Sequence, residues 1–396
     1  MVNQKILKLD NVSAEVKLIL HLLKQKSHED TIENLEKLLG DINWTLFIDQ
    51  VKHHRVYPVL FPILNKCTHQ LIPPFVIQRL RMDYQRNIFY MLQISAEMER
   101  INRVLSEENI RVLFLKGPII AHDLYGDISL RTSCDLDFLI PINELDKVEQ
   151  TLLKHGYLKD DYIRTILDDW KWRHHHVTYF HPKTKTKLEV HWRLNPGPGF
   201  EPSFEELWQT KKQSDLTTSP VYFLGREHLF LFLVTHGSRH GWSRLRWLLD
   251  IHQIIEKAPN WKKVYNLLKK YHLEHIGAQA LILNHTLLNS NIDSTHPYFF
   301  KNSKSGYRLA QDAIFYLERM VNLHTDPVPF EVSKFHKQHL FSLMSLRQKI
   351  LFLLSTLHPY PEDAEKMPLP KSLHLLYFPL RPFLWAWRKK SKQALS

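Results

Sequence analysis

The stretch Cys134-Asp135-Leu136-Asp137-Phe138-Leu139-Ile140 places two acids in an otherwise apolar run that is typical of a buried strand. Side chains alternate between the two faces of a strand, so Asp135 and Asp137 project from one face about 6.6 Å apart. Leu136 and Phe138 then point into a core. Burying two like charges side by side is costly unless a cation neutralises them. A solvated pair of aspartates at a strand end is the alternative interpretation.

A third acid, Glu189, lies in a second strand-like run from Thr186 to Trp192. This run and His176 to Phe180 predict a hairpin in which Glu189 faces away from the core. Hard divalent ions prefer oxygen ligands, and three acids can hold two such ions about 3.5–4 Å apart. We therefore predict that Asp135, Asp137 and Glu189 are catalytic acids that bind Mg²⁺, with Mn²⁺ as a second candidate. An exposed glutamate on a hairpin is the alternative for Glu189.

The segment upstream of the acids, Ile110 to Pro118, reads as a short apolar strand that ends in a Lys116-Gly117 turn, and a helical stretch follows it. A glycine at such a turn lets backbone N–H groups approach phosphate oxygens, and the start of a helix favours anions. We therefore predict that Lys116 and Gly117 contact the phosphates of a nucleotide.

These motifs together resemble the nucleotidyltransferase superfamily of the DNA polymerase β type, in which a Gly-containing turn precedes an Asp-x-Asp strand. They are more closely similar to a family of largely uncharacterised bacterial nucleotidyltransferases. The residues that carry this resemblance are Leu115-Lys116-Gly117, Tyr125-Gly126-Asp127, Arg131 with Asp135 and Asp137, Glu189-Val190-His191-Trp192-Arg193, and HGSRHGWSRLRWLLD at 236–250.

The resemblance implies transfer of a nucleoside monophosphate from a nucleoside triphosphate (NTP) to an acceptor hydroxyl or phosphate, with release of pyrophosphate. Lys116, Gly117, Arg131, His236 and His240 would bind the nucleotide. Where the superfamily commonly has Gly-Ser, this chain has Gly117-Pro118, which removes one phosphate contact. The acceptor would be a small molecule or a ribosomally made or phosphorylated peptide. Transfer to tRNA or other RNA, as in toxin enzymes, and a non-catalytic nucleotide- or peptide-binding module remain as alternatives.

His236 and His240 share a helix face at i,i+4, but Gly237 stands where the zinc-binding HExxH motif needs glutamate. Contacts of these histidines, and of Arg239, Arg244 and Arg246, with phosphate or base therefore fit better than zinc. Asp250 would either orient one of these groups or form an ion pair on a helix surface. No P-loop, dinucleotide fingerprint or Gly-x-Ser-x-Gly motif occurs, which argues against the commonest NTPase, dehydrogenase and hydrolase readings.

The 396 residues are enough for two or three domains. We predict an α+β fold with a small mixed β-sheet core at 108–200. An N-terminal helical domain at 1–107 and a C-terminal helical domain at 201–396 would flank it. The run Pro196-Gly197-Pro198-Gly199 is the clearest linker, and the chain beyond it reads as helical.

The formal charge of +12 predicts a polyanionic partner, with scattered surface lysine as the alternative. Two cysteines and the absence of a signal-peptide pattern or a long apolar run lead us to expect a cytoplasmic enzyme without a transmembrane segment. The basic, aromatic tail at 373–392 predicts contact with an anionic membrane surface or a peptide. Docking onto its own chain is the alternative, since Pro379 and Pro382 are expected to interrupt a helix.

Overall fold

A computed structural model describes residues 6–24, 39–40, 42–67, 72–292, 304–323 and 325–393, with the backbone alone at Cys67 and at 388–393. Within these residues the chain forms one mixed sheet with helices before and after it in sequence. The predicted mixed sheet with flanking helices is therefore confirmed.

The sheet has seven strands in the order β3-β4-β5-β2-β1-β7-β6. Their bounds are β1 Leu113–Phe114, β2 Leu136–Leu139, β3 Leu158–Lys159, β4 His176–Phe180, β5 Lys187–His191, β6 Lys212–Ser214 and β7 Val221–Phe223. Strands β2 and β5 pair in parallel, as do β1 and β7, and the other neighbours are antiparallel. The predicted hairpin is present as β4 and β5.

Helices make up most of the remaining described chain. Before β2 they are α1 Ala14–Lys24, α2 Trp44–His53, α3 Tyr57–Cys67, α4 Pro74–Glu107 and α5 Pro118–Tyr125. Between β2 and β7 they are α6 Leu145–Lys154, α7 Trp170–Arg173 and α8 Phe204–Gln209. After the sheet they are α9 Arg226–Arg239, α10 Leu245–Glu256, α11 Trp261–Lys270, α12 Glu274–Leu288, α13 Lys304–Glu318, α14 Phe330–Leu343, α15 Leu346–Ser355, α16 Pro361–Lys366 and α17 Tyr377–Gln393.

Two strands lie beyond the predicted core, so the expectation that the chain after residue 200 is only helical is wrong. β7 pairs with β1 through Phe223 and Phe114, and β6 closes that edge of the sheet. Each has three residues, which is too short to show the period-2 alternation that identifies a strand in sequence. The sheet therefore continues past the predicted boundary at residue 200.

One hydrophobic core joins the N-terminal helices, the sheet and the C-terminal helices. Its buried members run from Leu7 to Leu343, and the central strands contribute fully buried Phe114, Phe138 and Val190. No helix in the described ranges combines the length and apolar character needed to cross a bilayer.

The C-terminal tail forms helix α17 and packs on its own chain. Tyr377 and Leu384 are buried together with Ile166, and Arg381 pairs with Asp363 at 3.2 Å. The predicted interruption of the helix by proline is wrong. Pro379 lies in the first turn, where no intrahelical bond to its nitrogen is needed, and the helix continues through Pro382. Binding of this tail to a membrane or a peptide stays a prediction.

Candidate active site

The parallel pairing of β2 and β5 brings the predicted acids together. In this register Asp137 lies beside Glu189, and Leu139 lies beside His191. Because side chains alternate along each strand, Asp137, Glu189 and His191 all project from one face of the sheet. The intervening Leu136, Phe138, Leu188 and Val190 are fully buried on the other face.

These three side chains form a close group. Nε2 of His191 lies 3.3 Å from Oδ1 of Asp137 and 3.7 Å from Oε2 of Glu189. Lys116 donates to Oδ1 of Asp137 at 2.9 Å, and Lys187 donates to Oε1 of Glu189 at 2.7 Å. Asp137 is completely buried, yet its second oxygen, Oδ2, has no hydrogen-bond partner.

The charges within this group shift one another's pKa values. Burial alone would raise the pKa of Asp137, but Lys116 and a hydrogen bond from His191 outweigh it and lower that pKa. The same competition lowers the pKa of Glu189, where the hydrogen bond from His191 is the main opposing cause. Burial would lower the pKa of His191, but its bonds to the two carboxylates raise it. Both carboxylates are therefore ionised at neutral pH.

Asp135 precedes β2 and lines the same cleft without joining the tight group. Burial, and then the negative charge of Asp137, raise its pKa to about 6. Among the described residues, the ligand atoms that lie within 4.8 Å of one another here belong to Asp137, Glu189 and His191. The structure thus pairs two of the three predicted acids directly and places the third at the edge of the group.

A divalent cation fits this donor set. The unpartnered Oδ2 of Asp137 is a buried anionic oxygen without a counterpart, and Glu189 adds a second carboxylate. Carboxylate oxygens suit Mg²⁺ and Mn²⁺, and the imidazole of His191 is a ligand that Mn²⁺ accepts more readily than Mg²⁺. The predicted assignment of Asp135, Asp137 and Glu189 as metal ligands stays a prediction.

His191 was not predicted as a site residue, although the sequence contains a signal for it. Glu189-Val190-His191 repeats the spacing of Asp135-Leu136-Asp137, and this spacing puts both polar residues of each run on one strand face. His175 and His176 were also missed, and their ring nitrogens lie within 4.8 Å of those of His191. Burial lowers the pKa of His176 to about 4, so its ring is neutral at pH 7.

The cleft in front of the acids has a volume of about 450 Å³ and is rich in cationic side chains. They are Arg55, Lys116, Arg131, Lys187, Arg239, Arg244 and Arg246. Burial lowers the pKa of Arg239, Arg244 and Arg246 to about 10, and neighbouring arginines add to the effect at the last two. All three therefore remain protonated at pH 7. Nε of Arg239 and Nε of Arg246 are buried without a hydrogen-bond partner.

His236 and His240 line this cleft, as predicted for nucleotide-binding residues, but their contact with a nucleotide stays a prediction. Their ring centroids are 4.6 Å apart, and His240 lies 5.2 Å from the ring of Trp247. Burial, and then the charge of Lys116, hold the pKa of His236 well below its usual value. This ring is therefore neutral and can exchange hydrogen bonds rather than supply charge.

Arg131 is occupied by an internal ion pair. Its Nε donates to Oδ1 of Asp250 and its terminal nitrogen to Oδ2, both at 2.9 Å, and Tyr125 donates to the same carboxylate. Arg131 and Asp250 are both buried, so Asp250 does not form a helix-surface ion pair, and the residue it orients is Arg131 rather than a residue of the 236–246 stretch. Arg131 borders the cleft, and its predicted role towards phosphate stays a prediction.

The local structure explains why glycine occupies two positions in these motifs. Gly117 has φ of +88°, a conformation that favours glycine, and it stands immediately before helix α5. It does not line the cleft, whereas the adjacent Lys116 does. At Gly237 a Cβ atom would lie 2.4 Å from the ring of Trp242, which explains the pairing of these two residues in the 236–250 motif.

The sequence profile of a family described as "Uncharacterised nucleotidyltransferase" matches residues 40–289. Among solved structures, an antigenic nucleotidyltransferase-like protein from Paracoccidioides brasiliensis is 16% identical, with a TM-score of 0.32. That match covers 53% of this chain and 97% of the other. The search of curated proteins found no match.

Proposed function

The chain belongs to the family of uncharacterised nucleotidyltransferases, and we propose that it transfers a nucleoside monophosphate from an NTP to an acceptor oxygen in a Mg²⁺-dependent reaction. Mn²⁺ is the alternative ion. The observation that carries this proposal is the composition of one cleft. Asp135 and Glu189 line it, and Asp137, with its unpartnered Oδ2, lies beside Glu189 on the neighbouring strand. Arg239 and Arg246 line the same cleft, and the Nε atom of each is buried without a hydrogen-bond partner. A metal-bound triphosphate would supply what each of these groups lacks.

The acids account for binding of the cation. Asp137 and Glu189, with Asp135 and His191 beside them, would hold it. When bound, a divalent ion neutralises phosphate charge and lowers the pKa of an oxygen attached to it. Lys116 lies 2.9 Å from Asp137, at the point where phosphate oxygens would meet the acids.

The arginines account for binding of the phosphates. Arg239 and Arg246 each present a buried Nε without a partner, and Arg55 lines the same cleft. A guanidinium pairs well with phosphate because its fork of N–H groups matches two phosphate oxygens. Holding the triphosphate on these donors would fix its α-phosphorus near the acceptor, so that catalysis is mostly positioning and charge neutralisation.

The chemistry follows from this placement. An oxygen of the acceptor forms a bond to the α-phosphorus, and the bond from that phosphorus to the oxygen bridging to the β-phosphate breaks. Pyrophosphate leaves with the electron pair of that bond. A hydroxyl acceptor must lose its proton, and neutral His176 is a nearby group that can accept one.

The test is Asp137→Asn, which keeps the shape of the side chain and removes its charge. We expect Mg²⁺-dependent pyrophosphate release with ATP, CTP, GTP and UTP to fall by about 100-fold or more, because one anionic ligand is lost. The matched control is Asp146→Asn at an exposed position on α6, which should leave turnover unchanged. Near-parental turnover by a folded Asp137→Asn protein would contradict the assignment.

Calorimetric titration of the parent chain with the same four nucleotides, with and without Mg²⁺, separates an enzyme from a binding module. Nucleotide binding together with pyrophosphate release supports transfer. Binding without release across a broad panel of acceptors would favour a nucleotide-binding module instead.

A further inference from the structure

A second cavity, of about 630 Å³, lies next to the cleft and has no assigned role. It is lined by α7, the 193–201 loop, α9, α12 and the α14–α16 region. Much of its lining is apolar, including Trp172, Leu231, Ile276, Leu340, Leu343 and Phe352. A cavity of this size and character suits a small molecule with an apolar body.

Helix α9 forms the wall between this cavity and the cleft. Residues that line the cleft are Phe232, His236 and Arg239. Residues that line the second cavity are Leu231, Thr235, Ser238 and again Arg239. The two sets follow the i, i+4, i+7 spacing of adjacent helix faces. Arg239, at the C-terminal end of α9, is the residue of this helix that borders both spaces.

Arg239 differs from Arg173 and Arg193, two half-buried arginines that also line the second cavity. Arg173 pairs with Asp169, and Arg193 pairs with Glu201 at 3.2 Å while donating to the backbone oxygens of residues 172, 197 and 199. Arg239 has a buried Nε without a hydrogen-bond partner. No carboxylate in the described part of the chain lies within ion-pair distance of it. The charges of Glu189, in the cleft, and Glu201, beside the cavity, act on it only from farther away.

We propose, on the basis of the proposed function, that the second cavity binds the acceptor, and that the acceptor is a phosphate monoester with an apolar body. The apolar part fills the cavity, and the phosphate meets Arg239 at the border with the cleft. A neutral hydroxyl there would leave the buried guanidinium without a counter-charge, which is costly, whereas a phosphate supplies one.

The transfer step balances without a further reactant. A non-bridging oxygen of the acceptor phosphate attacks the α-phosphorus of the NTP and forms a P–O–P linkage. The bond from the α-phosphorus to its leaving oxygen breaks, and pyrophosphate takes the electron pair. A phosphate monoester has a second pKa near 6, so at pH 7 its oxygen needs no base to remove a proton.

Binding is measured first in the Asp137→Asn protein by calorimetric titration with octyl phosphate. Comparison ligands are glycerol 3-phosphate, octanoate and octanol. We expect octyl phosphate to bind at least 10-fold more tightly than each of the other three. Equal binding of octanoate or octanol would overturn the phosphate assignment, and equal binding of glycerol 3-phosphate would overturn the apolar one.

Two variants locate the ligand. Phe352→Glu places a charge in the lining at a side chain that is 38% exposed, so folding should tolerate it. Its matched control is Leu353→Glu on the same helix, where the side chain is 57% exposed and lies outside the cavity lining. We expect a 10-fold or greater loss of octyl phosphate affinity in Phe352→Glu and no change in Leu353→Glu. Equal affinities of the two variants would overturn the cavity assignment.

Arg239→Gln tests the phosphate contact. We expect a 10-fold or greater loss of octyl phosphate affinity and no loss of thermal stability, because the change removes a buried charge without a partner. Full affinity in this variant would contradict the contact. Because binding is measured in the Asp137→Asn protein, octyl phosphate can bind even if the parent protein shows no Mg²⁺-dependent pyrophosphate release. That outcome would refute the proposed function and leave the cavity assignment intact.

Discussion

The charged clusters around Asp250 and Asp137 differ in how completely their carboxylate oxygens are paired. Around Asp250, the two carboxylate oxygens receive Arg131 and the hydroxyl of Tyr125, so that acid and base satisfy each other. Around Asp137, one oxygen receives Lys116 and His191, and the other receives nothing. In the adjacent cleft, Arg239 and Arg246 each have a buried Nε atom without a hydrogen-bond partner.

The difference lies in whether the buried charges and hydrogen-bonding groups of a cluster satisfy one another. A buried charge without a counter-charge strongly destabilises the folded protein. Arg131 and Asp250 avoid this cost because they neutralise each other. In the Asp137 cluster, Oδ2 of Asp137 lacks a partner and the site disfavours the charge of Asp135, which costs stability that bound ligands would offset. Proteins tolerate such unmet charge mainly at functional sites.

Breaking the Arg131–Asp250 pair should give the largest effect on stability. Asp250→Ala leaves Arg131 buried without a counter-charge and removes the partner of Tyr125. We expect a loss of about 3–5 kcal/mol in the free energy of unfolding, measured by urea denaturation. The control is Glu205→Ala in the exposed Arg111–Glu205 pair, where solvent screens the charges and we expect little or no loss. Equal losses in the two variants would remove the distinction between the clusters.

Neutralising one charge of the Asp137 cluster should instead increase the free energy of unfolding. Asp135 has a pKa of about 6 in the folded chain against an ordinary value of 3.8, so the folded state holds its proton more tightly than the unfolded state. The stability that this group contributes is present below pH 4 and is lost as the pH rises through 6. Asp135→Asn should therefore stabilise the metal-free protein by about 1–3 kcal/mol at pH 7.5.

Urea denaturation in EDTA between pH 4 and pH 7.5 measures this gain. The gain should be absent at pH 4 and should appear as the pH passes 6. Asp146→Asn at its exposed position should show no comparable trend. A destabilised Asp135→Asn protein at pH 7.5 would mean that the carboxylate is satisfied in the folded state.

The smallest effect is expected from removing a single positive charge, that of Arg55, from the lining of the cleft. Arg55 lines the cleft, and Arg55→Gln should weaken binding of Mg²⁺·ATP about 10-fold, or about 1.4 kcal/mol, without loss of stability. The salt dependence of binding should also become shallower. Arg79→Gln on α4, whose partner Asp83 is at 3.5 Å, is the matched control and should bind normally. Unchanged affinity in Arg55→Gln would exclude it from the phosphate site.

The sequence was sufficient to predict that these acids lie on or beside strands because each acidic run has a recognisable local pattern. Asp135, Asp137 and Glu189 stand out as acids at alternate positions in apolar runs, and the same alternation predicted the β4–β5 hairpin. The mixed sheet with flanking helices followed from the same patterns. The short strands β6 and β7 did not, because three residues give no period to recognise.

The basic half depends on distant parts of the chain, and only some of it was expected. Arg239, Arg244 and Arg246 were placed near a cleft from their common motif. Arg55 comes from a short connection between helices 80 residues before Asp135, and nothing in its neighbours marks it. Asp250 was expected to orient His236, His240, Arg239, Arg244 or Arg246, but the residue it binds is Arg131, which lies 119 residues away in sequence. Such pairings arise from tertiary packing, which local patterns do not encode.

The register between β2 and β5 has a consequence for how this molecule can fail. If β5 slipped by a single position, Glu189 and His191 would turn inward among the aliphatic side chains, while Leu188 and Val190 would face the charged cleft. A shifted register would thus disrupt both the packing of the hydrophobic core and the group formed by Asp137, Glu189 and His191. Packing of the hydrophobic core therefore selects the native register of these two strands. That same register brings Asp137 and Glu189 side by side.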